Sequence, residues 1–597
     1  DKVQRGISAG RVQSVALRMI VEREDLIRAF KSEQWFSIEG VASKQGKNID
    51  VKYWGEAADK KEDLLDEKIT QKIVNDVTNK DIKVFDIKRK ERKQRPTPPF
   101  TTSKLQQEAV NKLGFSTKRT MMVAQKLYEG VQTTVFGTQG LITYMRTDSV
   151  RTAPEAIQAA REYIQKKYGR EFLPDGPMYY TKKGTSKVQD AHEAIRPTNL
   201  DISPDKVKGD LESDEWRLYE LIWNKFIASQ MNEAIIDQTA VVFESAGHYF
   251  KANGSIIKFP GFRHIYIESK MERQKSRRGE DEETEGEAIE ANSYNVELPH
   301  LDIGEKLKMQ RPFVSLEHWT QPPPRFNEAS LVKELEENGI GRPSTYASII
   351  SNIQDRGYVH KTENRFGPTE LGMVVCKMLI ESFPEIMDVE FTAKVEGLLD
   401  KIEEGDEDWK KVVKSFWEGF EETLERAKEG MKNLKKQSIP TGIKCSKCAE
   451  GEYQIKWGKN GQFLACSDYP ECTSTEDFKR NFDSKIEIVP KNYHAEPCPK
   501  CHARMVVKKG KYGRFLACEN YPKCETSLPY TIGITCPECK KGKFAEIRSR
   551  YGKVFYGCSA YPECKNAMWN LPREVACAKC GYPVMGEKET KRQGKHL

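Results

Sequence analysis

The sequence predicts a multidomain α+β chain that ends in an array of small four-cysteine units. Three observations predict it. The 597 residues exceed what one hydrophobic core organises. Through the first 440 positions, stretches with helical apolar spacing alternate with stretches of two-residue alternation. Fourteen of the 15 cysteines fall after position 440, in pairs spaced C-x2-C or C-x5-C.

Composition narrows the class. Charged residues make up 31% and hydrophobic ones 38%, a soluble balance. The longest apolar candidate, MVVCKMLI, falls far short of the ~18 residues that cross a bilayer. No secretory signal opens the chain. The net charge of +8 is unevenly placed. Residues 441–597 hold 28 Lys and Arg against 17 Asp and Glu, leaving 69 against 72 for the first 440. A basic tail on a near-neutral body points to a polyanion partner, most simply nucleic acid. The chain opens inside a motif and stops inside an unfinished repeat, so it is expected to be a fragment.

The elements follow in order. Residues 10–30 read as an amphipathic helix, with Val12, Val15, Leu17, Ile20, Val21 and Leu26 near helical spacing. Residues 35–90 read as strands, and RPTPPF breaks them. Ser103 with Gln106 predicts a capping box before LQQEAVNKL, which Gly114 ends. A second helix, TMMVAQKLYEG, follows. LITYM is expected as a short strand, with Tyr144 at its end and Arg146 on the same side. Thr152 and Glu155 predict a capping box around Pro154 and a helix after it. Strands return from about 235 to 310. They are interrupted at 268–292 by an insert of mixed charge expected to be disordered. Residues 328–356 make two helices split by NGIGRPS, and YVHKTENRFGPTELG makes a wing-like hairpin, a winged helix-turn-helix pattern. Cys376 lies in an apolar helical run and reads as core.

Three units then repeat: Cys445, Cys448, Cys466, Cys472; Cys498, Cys501, Cys518, Cys524; and Cys536, Cys539, Cys558, Cys564. A fourth starts at Cys577 and Cys580. Four thiolates suit a closed, tetrahedral, structural zinc site, and units this small draw folding energy from the metal. Such sites leave no open position for chemistry. Without a secretion signal, a disulfide scaffold is the weaker reading. His494 and His502 complete no ligand set. Phe463, Phe515 and Phe555 recur three residues before the third cysteine, flanked by Lys459, Arg514 and Lys553. They either stack single-stranded bases or form each unit's small core.

Tyr144 sits in GLITYMRTDS. A neutral tyrosine, with a pKa of about 10, is a poor nucleophile unless cations favour its phenolate. Arg146 is the nearest such cation in sequence. Here the chain resembles the bacterial type IA DNA topoisomerase I family. The matching stretches are SAGRVQSVA (8–16), PPFTTSKLQQEA (98–109), GLITYMRTDS (140–149), QDAHEAIRP (189–197), QPPPRFNEASLVKELEENGIGRPSTYASIISNIQDRGYV (321–359) and FTAKVEGLLD (391–400). The four-cysteine ribbons fit the family as well.

The resemblance implies a toroidal core. Residues 1–38 and 309–437 would form a base, 39–95 and 231–308 β arches, and 96–230 a helical lid carrying Tyr144. Ribbons would span 441–475, 494–527 and 533–567, with a truncated fourth at 574–597. It implies that Tyr144 cleaves one strand through a 5′-phosphotyrosine bond, a strand passes, and the break reseals, relaxing negatively supercoiled DNA. Arg146 and His192 would join the catalytic site. Ser8, Ala9, Gly10, Arg11, Val12, Gln13, Arg146 and Arg325 would contact DNA. A magnesium-binding toprim domain would precede Asp1, so this fragment alone is expected to bind zinc but not magnesium, and not to relax DNA. The partner would be single-stranded segments of negatively supercoiled duplex. The resemblance also implies a monomer in the cytoplasm, at the nucleoid, with the basic tail open to a protein partner. A decatenating relative and a non-catalytic nucleic-acid-binding protein are the competing readings.

Overall fold

A computed structural model of the chain describes residues 7–181, 192–269, 295–431, 438–448, 450–458, 461–480, 486–510, 513–521, 523–548, 554–590 and 594–596. The expected disordered insert, beyond Glu268 and Ser269, lies outside them, as do Lys459 and Lys553. The chain divides into two compact units, Ser8–Met431 and, with the first seven residues, Lys432–Leu597.

The larger unit begins with α1 (Arg11–Ala29), whose Val15, Ala16, Leu17, Met19 and Ile20 are buried. β1 (Gln34–Lys44) and β2 (Lys47–Gly55) form a hairpin. The next segment departs from expectation. Residues expected to be strand form α2 (Glu67–Val77), because Asp66 caps the Lys68 and Ile69 N–H groups and Ile73, Val74 and Val77 share one buried face. β3 (Ile82–Gln94) then starts in the core and ends as an exposed basic strand.

The helical block holds α3 (Thr102–Glu108), α4 (Thr117–Glu129), a hairpin of β4 (Val131–Thr133) and β5 (Gly137–Gln139), α5 (Pro154–Tyr168) and α6 (Ser213–Ser229). Both expected capping boxes are absent. α3 is capped by the Thr101 hydroxyl, while Ser103 turns to Glu336. α5 starts from Ala153 with Pro154 as its first helical residue, and no side chain caps it. Pro154 has no N–H to satisfy, so the loss there is small. Gly114 does end the first helical segment, in the left-handed region, after a π-helical turn at Ala109–Leu113.

β6 (Ala234–Ser245), β7 (His248–Phe259), β8 (Asn295–Val296) and β9 (Lys306–Trp319) complete an antiparallel sheet in the order β2-β1-β9-β3-β6-β7-β8. β7 also meets β2, so six of the strands close into a ring. Its interior is filled by Ile38, Ile49, Val84, Phe243, Phe250 and Phe313, with the last two rings stacked at 4.1 Å. Gln94 pairs with Ala234, so the chain enters and leaves the helical block side by side. β1 and β9 run through positions 38–39 and 308–309, the expected edges of the base.

The remaining helices are α7 (Glu328–Glu337), α8 (Tyr346–Asp355), α9 (Glu370–Ser382), α10 (Val389–Glu404) and α11 (Trp409–Gly430). α7, α8 and the hairpin of β10 (Val359–Thr362) and β11 (Arg365–Pro368) have the helix, turn, helix, wing order read from the sequence. The turn needs Gly341. Its φ is +79°, and a Cβ would press on Ile349, Thr345 and Tyr346 at 3.1–3.3 Å. Cys376 is buried, and that burial pushes its thiol up to about 12, as fits a core residue.

The smaller unit is a series of short antiparallel sheets. The strands Glu452–Gly458 and Gly461–Cys466 form the central hairpin of the first ribbon. Met505–Gly510 with Gly513–Cys518, and Lys543–Arg548 with Val554–Cys558, repeat it. No described helix is long and apolar enough to cross a membrane.

Candidate active site and metal centres

The GLITYMRTDS segment is not the expected strand. Its only ladder contact is an isolated bridge between Ile142 and Pro197. The backbone is held by crossing chains instead. Leu141 N–H donates to the Leu127 carbonyl at 2.7 Å, and Thr143 N–H to that of Arg196 at 2.9 Å. The Thr143 hydroxyl donates to the Ala194 carbonyl at 2.7 Å. Gly140 permits the approach, since a Cβ there would lie 2.4 Å from the Tyr128 carbonyl oxygen. Leu141, Ile142 and Met145 are buried as anchors, Tyr144 is half-buried and Arg146 is exposed.

The strip 192–198 is laid against Phe100 and Ile142, and this brings His192 to the tyrosine. The Tyr144 and His192 rings are 5.3 Å apart at 32°, and Tyr128 stands edge-on to Tyr144 at 5.4 Å. Among the described residues, neither the Tyr144 hydroxyl nor the Arg146 guanidinium has a hydrogen-bond or ion-pair partner. Tyr128 was not singled out from sequence. Its one signal is position, since it lies beside buried Leu127 near the end of α4 and is itself exposed.

Other expected site residues lie in or beside α1 and just before α7, with partners of their own. Arg325 binds Glu24 through Nε at 2.7 Å and Nη2 at 2.9 Å. Burial alone would raise the Glu24 carboxyl, but the bonds and charge of Arg325, helped by Arg28, hold it below the usual carboxylate range. Arg11 pairs with Glu396 and donates to the Thr392 carbonyl. Gly10 is the N-cap of α1, Val12 and Gln13 are half-buried, and Ser8 and Ala9 are exposed. The Ser8 carbonyl accepts the Tyr358 hydroxyl at 2.8 Å. Two carboxylates of α7 join it to the helical block: Glu328 takes Thr117, and Glu336 takes Ser103 and Gln107.

Each complete cysteine set converges, with the four sulfurs of a set within 4.8 Å of one another. The Cys445–Cys472, Cys498–Cys524 and Cys536–Cys564 pairs lie 3.7–3.8 Å apart, and Cys448–Cys466, Cys501–Cys518 and Cys539–Cys558 3.3–3.5 Å. Sulfurs on a tetrahedral zinc at about 2.3 Å are about 3.8 Å apart, whereas a disulfide is about 2 Å long. The donor sets therefore fit zinc and exclude disulfides. Cys577 and Cys580 form a knuckle, but among the described residues no further thiolates gather on it. No described acidic cluster offers three ligands suited to magnesium.

The ribbon phenylalanines resolve away from the core. Tyr453, Ile455 and Leu464 fill the first ribbon, and Met505 and Leu516 the second, while Phe463, Phe515 and Phe555 stay half-exposed. Neighbouring strand residues face opposite ways, so in the first two ribbons Leu464 and Leu516 take the core and the phenylalanine before each the outer face. Tyr469, Tyr521 and Tyr561 recur as exposed rings, at 64%, 65% and 70% exposure. Arg514 is paired with Glu546.

Comparison with known proteins agrees with this architecture. A DNA topoisomerase family model matches residues 1–414. The chain belongs to the bacterial type IA DNA topoisomerases. A second model, for the topoisomerase DNA-binding C4 zinc finger, matches residues 442–481, 495–531 and 533–573, the three complete cysteine sets. Full-length topoisomerase I from Thermotoga maritima, solved in a monoclinic crystal form, is 33% identical, with a TM-score of 0.63 over 81% of this chain and 72% of that one. The chain is thus a topoisomerase with tandem zinc ribbons that bind DNA.

Proposed function

We propose that this topoisomerase cleaves one DNA strand with Tyr144, passes a strand through the break and reseals it, relaxing negatively supercoiled DNA. The Tyr144 oxygen attacks the phosphorus, forming a 5′-phosphotyrosine bond, and the 3′-oxygen leaves and takes up a proton. Resealing is the reverse, so the bond energy is kept in the phosphotyrosine and no nucleotide is consumed. The observation that carries the reading is the exposed Arg146, without a partner among the described residues, two residues from a tyrosine whose ring lies against His192. A guanidinium there offsets the charge of the pentacoordinate phosphorus. The imidazole beside that ring relays the proton of the tyrosine or the 3′-hydroxyl.

The substrate is a single-stranded segment. The half-exposed Phe463, Phe515 and Phe555 and the exposed Tyr469, Tyr521 and Tyr561 offer faces for unpaired bases, with the tail's cations along the phosphates. The protein acts as a monomer, and the paired strands β3 and β6, which carry the chain into and out of the helical block, serve as its hinge. The test is a 3′-labelled single-stranded oligonucleotide stopped with denaturant. The full-length protein should carry label covalently and Tyr144→Phe should carry none. Label retained by the variant would assign the bond to another residue.

A further inference from the structure

Without strand pairing, something else must fix the backbone between Tyr144 and Arg146. Thr102, in the first turn of α3, is placed to do so. Its hydroxyl lies 2.7 Å from the Met145 carbonyl and 3.0 Å from that of Thr147, its single proton shared between the two, and it accepts the Thr147 N–H at 2.8 Å. The Thr102 main-chain N–H donates to the same Thr147 carbonyl at 2.9 Å. One side chain therefore occupies backbone groups on both sides of Arg146. Thr102 is fully buried, at 0% exposure, and Met145 beside it is buried too. Water cannot substitute for these bonds without opening the core.

The neighbours of Thr102 add to the point. Thr101 caps α3, and the Ser103 hydroxyl donates to Glu336 of α7 in the base. Consecutive residues of one helical turn thus grip the tyrosine segment and the base. The shape of Thr102 does not explain this pattern, because valine would fill the same space and make none of the bonds.

We propose that Thr102 is a positioning residue for strand cleavage. It locks the Met145–Thr147 backbone so that the Tyr144 hydroxyl and the Arg146 guanidinium meet one phosphate. The proposal rests on Tyr144 being the nucleophile. Misplacement by about 1 Å costs up to roughly 100-fold in rate, so the loss of these bonds acts on the cleavage step itself.

The experiment uses full-length protein and a saturating 3′-labelled single-stranded oligonucleotide, and reads the rate of covalent-adduct formation beside the Kd. Thr102→Val should slow adduct formation roughly 10- to 100-fold while the Kd stays within about twofold. Thr102→Ser, which keeps the hydroxyl, should stay within about threefold of the parent rate. A Val variant that cleaves within threefold of the parent overturns the proposal, as does an equal loss in Val and Ser. If the Val variant does not fold, Thr102→Ala against Thr102→Ser at low temperature decides on the same thresholds. Tyr144→Phe runs alongside. Adduct in that variant would strike down the nucleophile itself, whereas its absence with a fully active Thr102→Val strikes down only the positioning role.

Discussion

Glu328 of α7 closes on Thr117 of α4. Its carboxylate accepts the Thr117 main-chain N–H at 2.6 Å and the hydroxyl at 2.8 Å, and its other oxygen takes Lys361 at 2.7 Å. Glu328 is 3% exposed, so these bonds act away from solvent screening. They seat α4 of the helical block on α7 and the β10 strand. Glu328→Ala leaves a buried N–H and hydroxyl unpaired and should cost about 2 kcal/mol in urea unfolding. An unchanged midpoint would show that the contact adds nothing to the seating.

Zinc content follows from the sulfur geometry. Three ions per chain are expected by metal analysis after purification without chelator. Cys466→Ser should lower the count by one and loosen only the first ribbon. Fewer than two ions in the parent protein would refute the ribbon assignment.

Arg146 should matter to rate more than to binding. In full-length protein, Arg146→Ala should lower adduct formation about 100-fold, by removing a cation from the transition state. His192→Ala should lower it roughly 100-fold, the lower end of what a positioned acid–base group contributes. Equal losses in oligonucleotide affinity would instead make both residues simple DNA contacts.

The Glu24–Arg325 pair sets a pH dependence. The Glu24 carboxyl lies below its ordinary range in the fold, because Arg325 and Arg28 outweigh its burial. A depressed folded-state pKa stabilises above the unfolded pKa, and that contribution is lost as pH falls through the folded value. Thermal melting should therefore separate the parent from Glu24→Gln most at neutral pH, and the gap should narrow in acid below about pH 4. A gap that widens in acid would reverse the sign of this interaction.

The tail's charge has its own measurement. It holds the whole positive excess of the chain. Removing residues 441–597 should weaken single-strand binding and flatten its dependence on salt, since fewer counterions are released. An unchanged slope would mean that the body alone contacts phosphate.

The zinc sites were legible in sequence because their chemistry is local. Cys445 and Cys448 sit on one knuckle, and a hairpin of fixed length must return Cys466 and Cys472 to it. The winged-helix order was legible for a similar reason, since Gly341 marks a turn that only glycine makes comfortably. GLITYMRTDS could be recognised as a motif, but not its conformation. Its short apolar run suggests a strand, while the partners that hold it, Thr102 and Ala194–Arg196, are about 40 to 50 positions away. The helix at Glu67–Val77 is marked in sequence only by Asp66 as a cap, and the alternating stretches on either side of it point to strand.

What the sequence by itself determined is the residue set: the tyrosine with its arginine, the cysteine quartets and the basic tail. The tertiary structure alone decided which side chains are left over for function. It set Arg325 on Glu24 and Arg11 on Glu396, left Arg146 unpaired among the described residues, and turned Phe463 outward where Leu464 turned in. The reason is physical. Spacing along a chain fixes which groups share a face of one element, but charge pairing and burial depend on which elements meet, and that is settled only when distant segments pack.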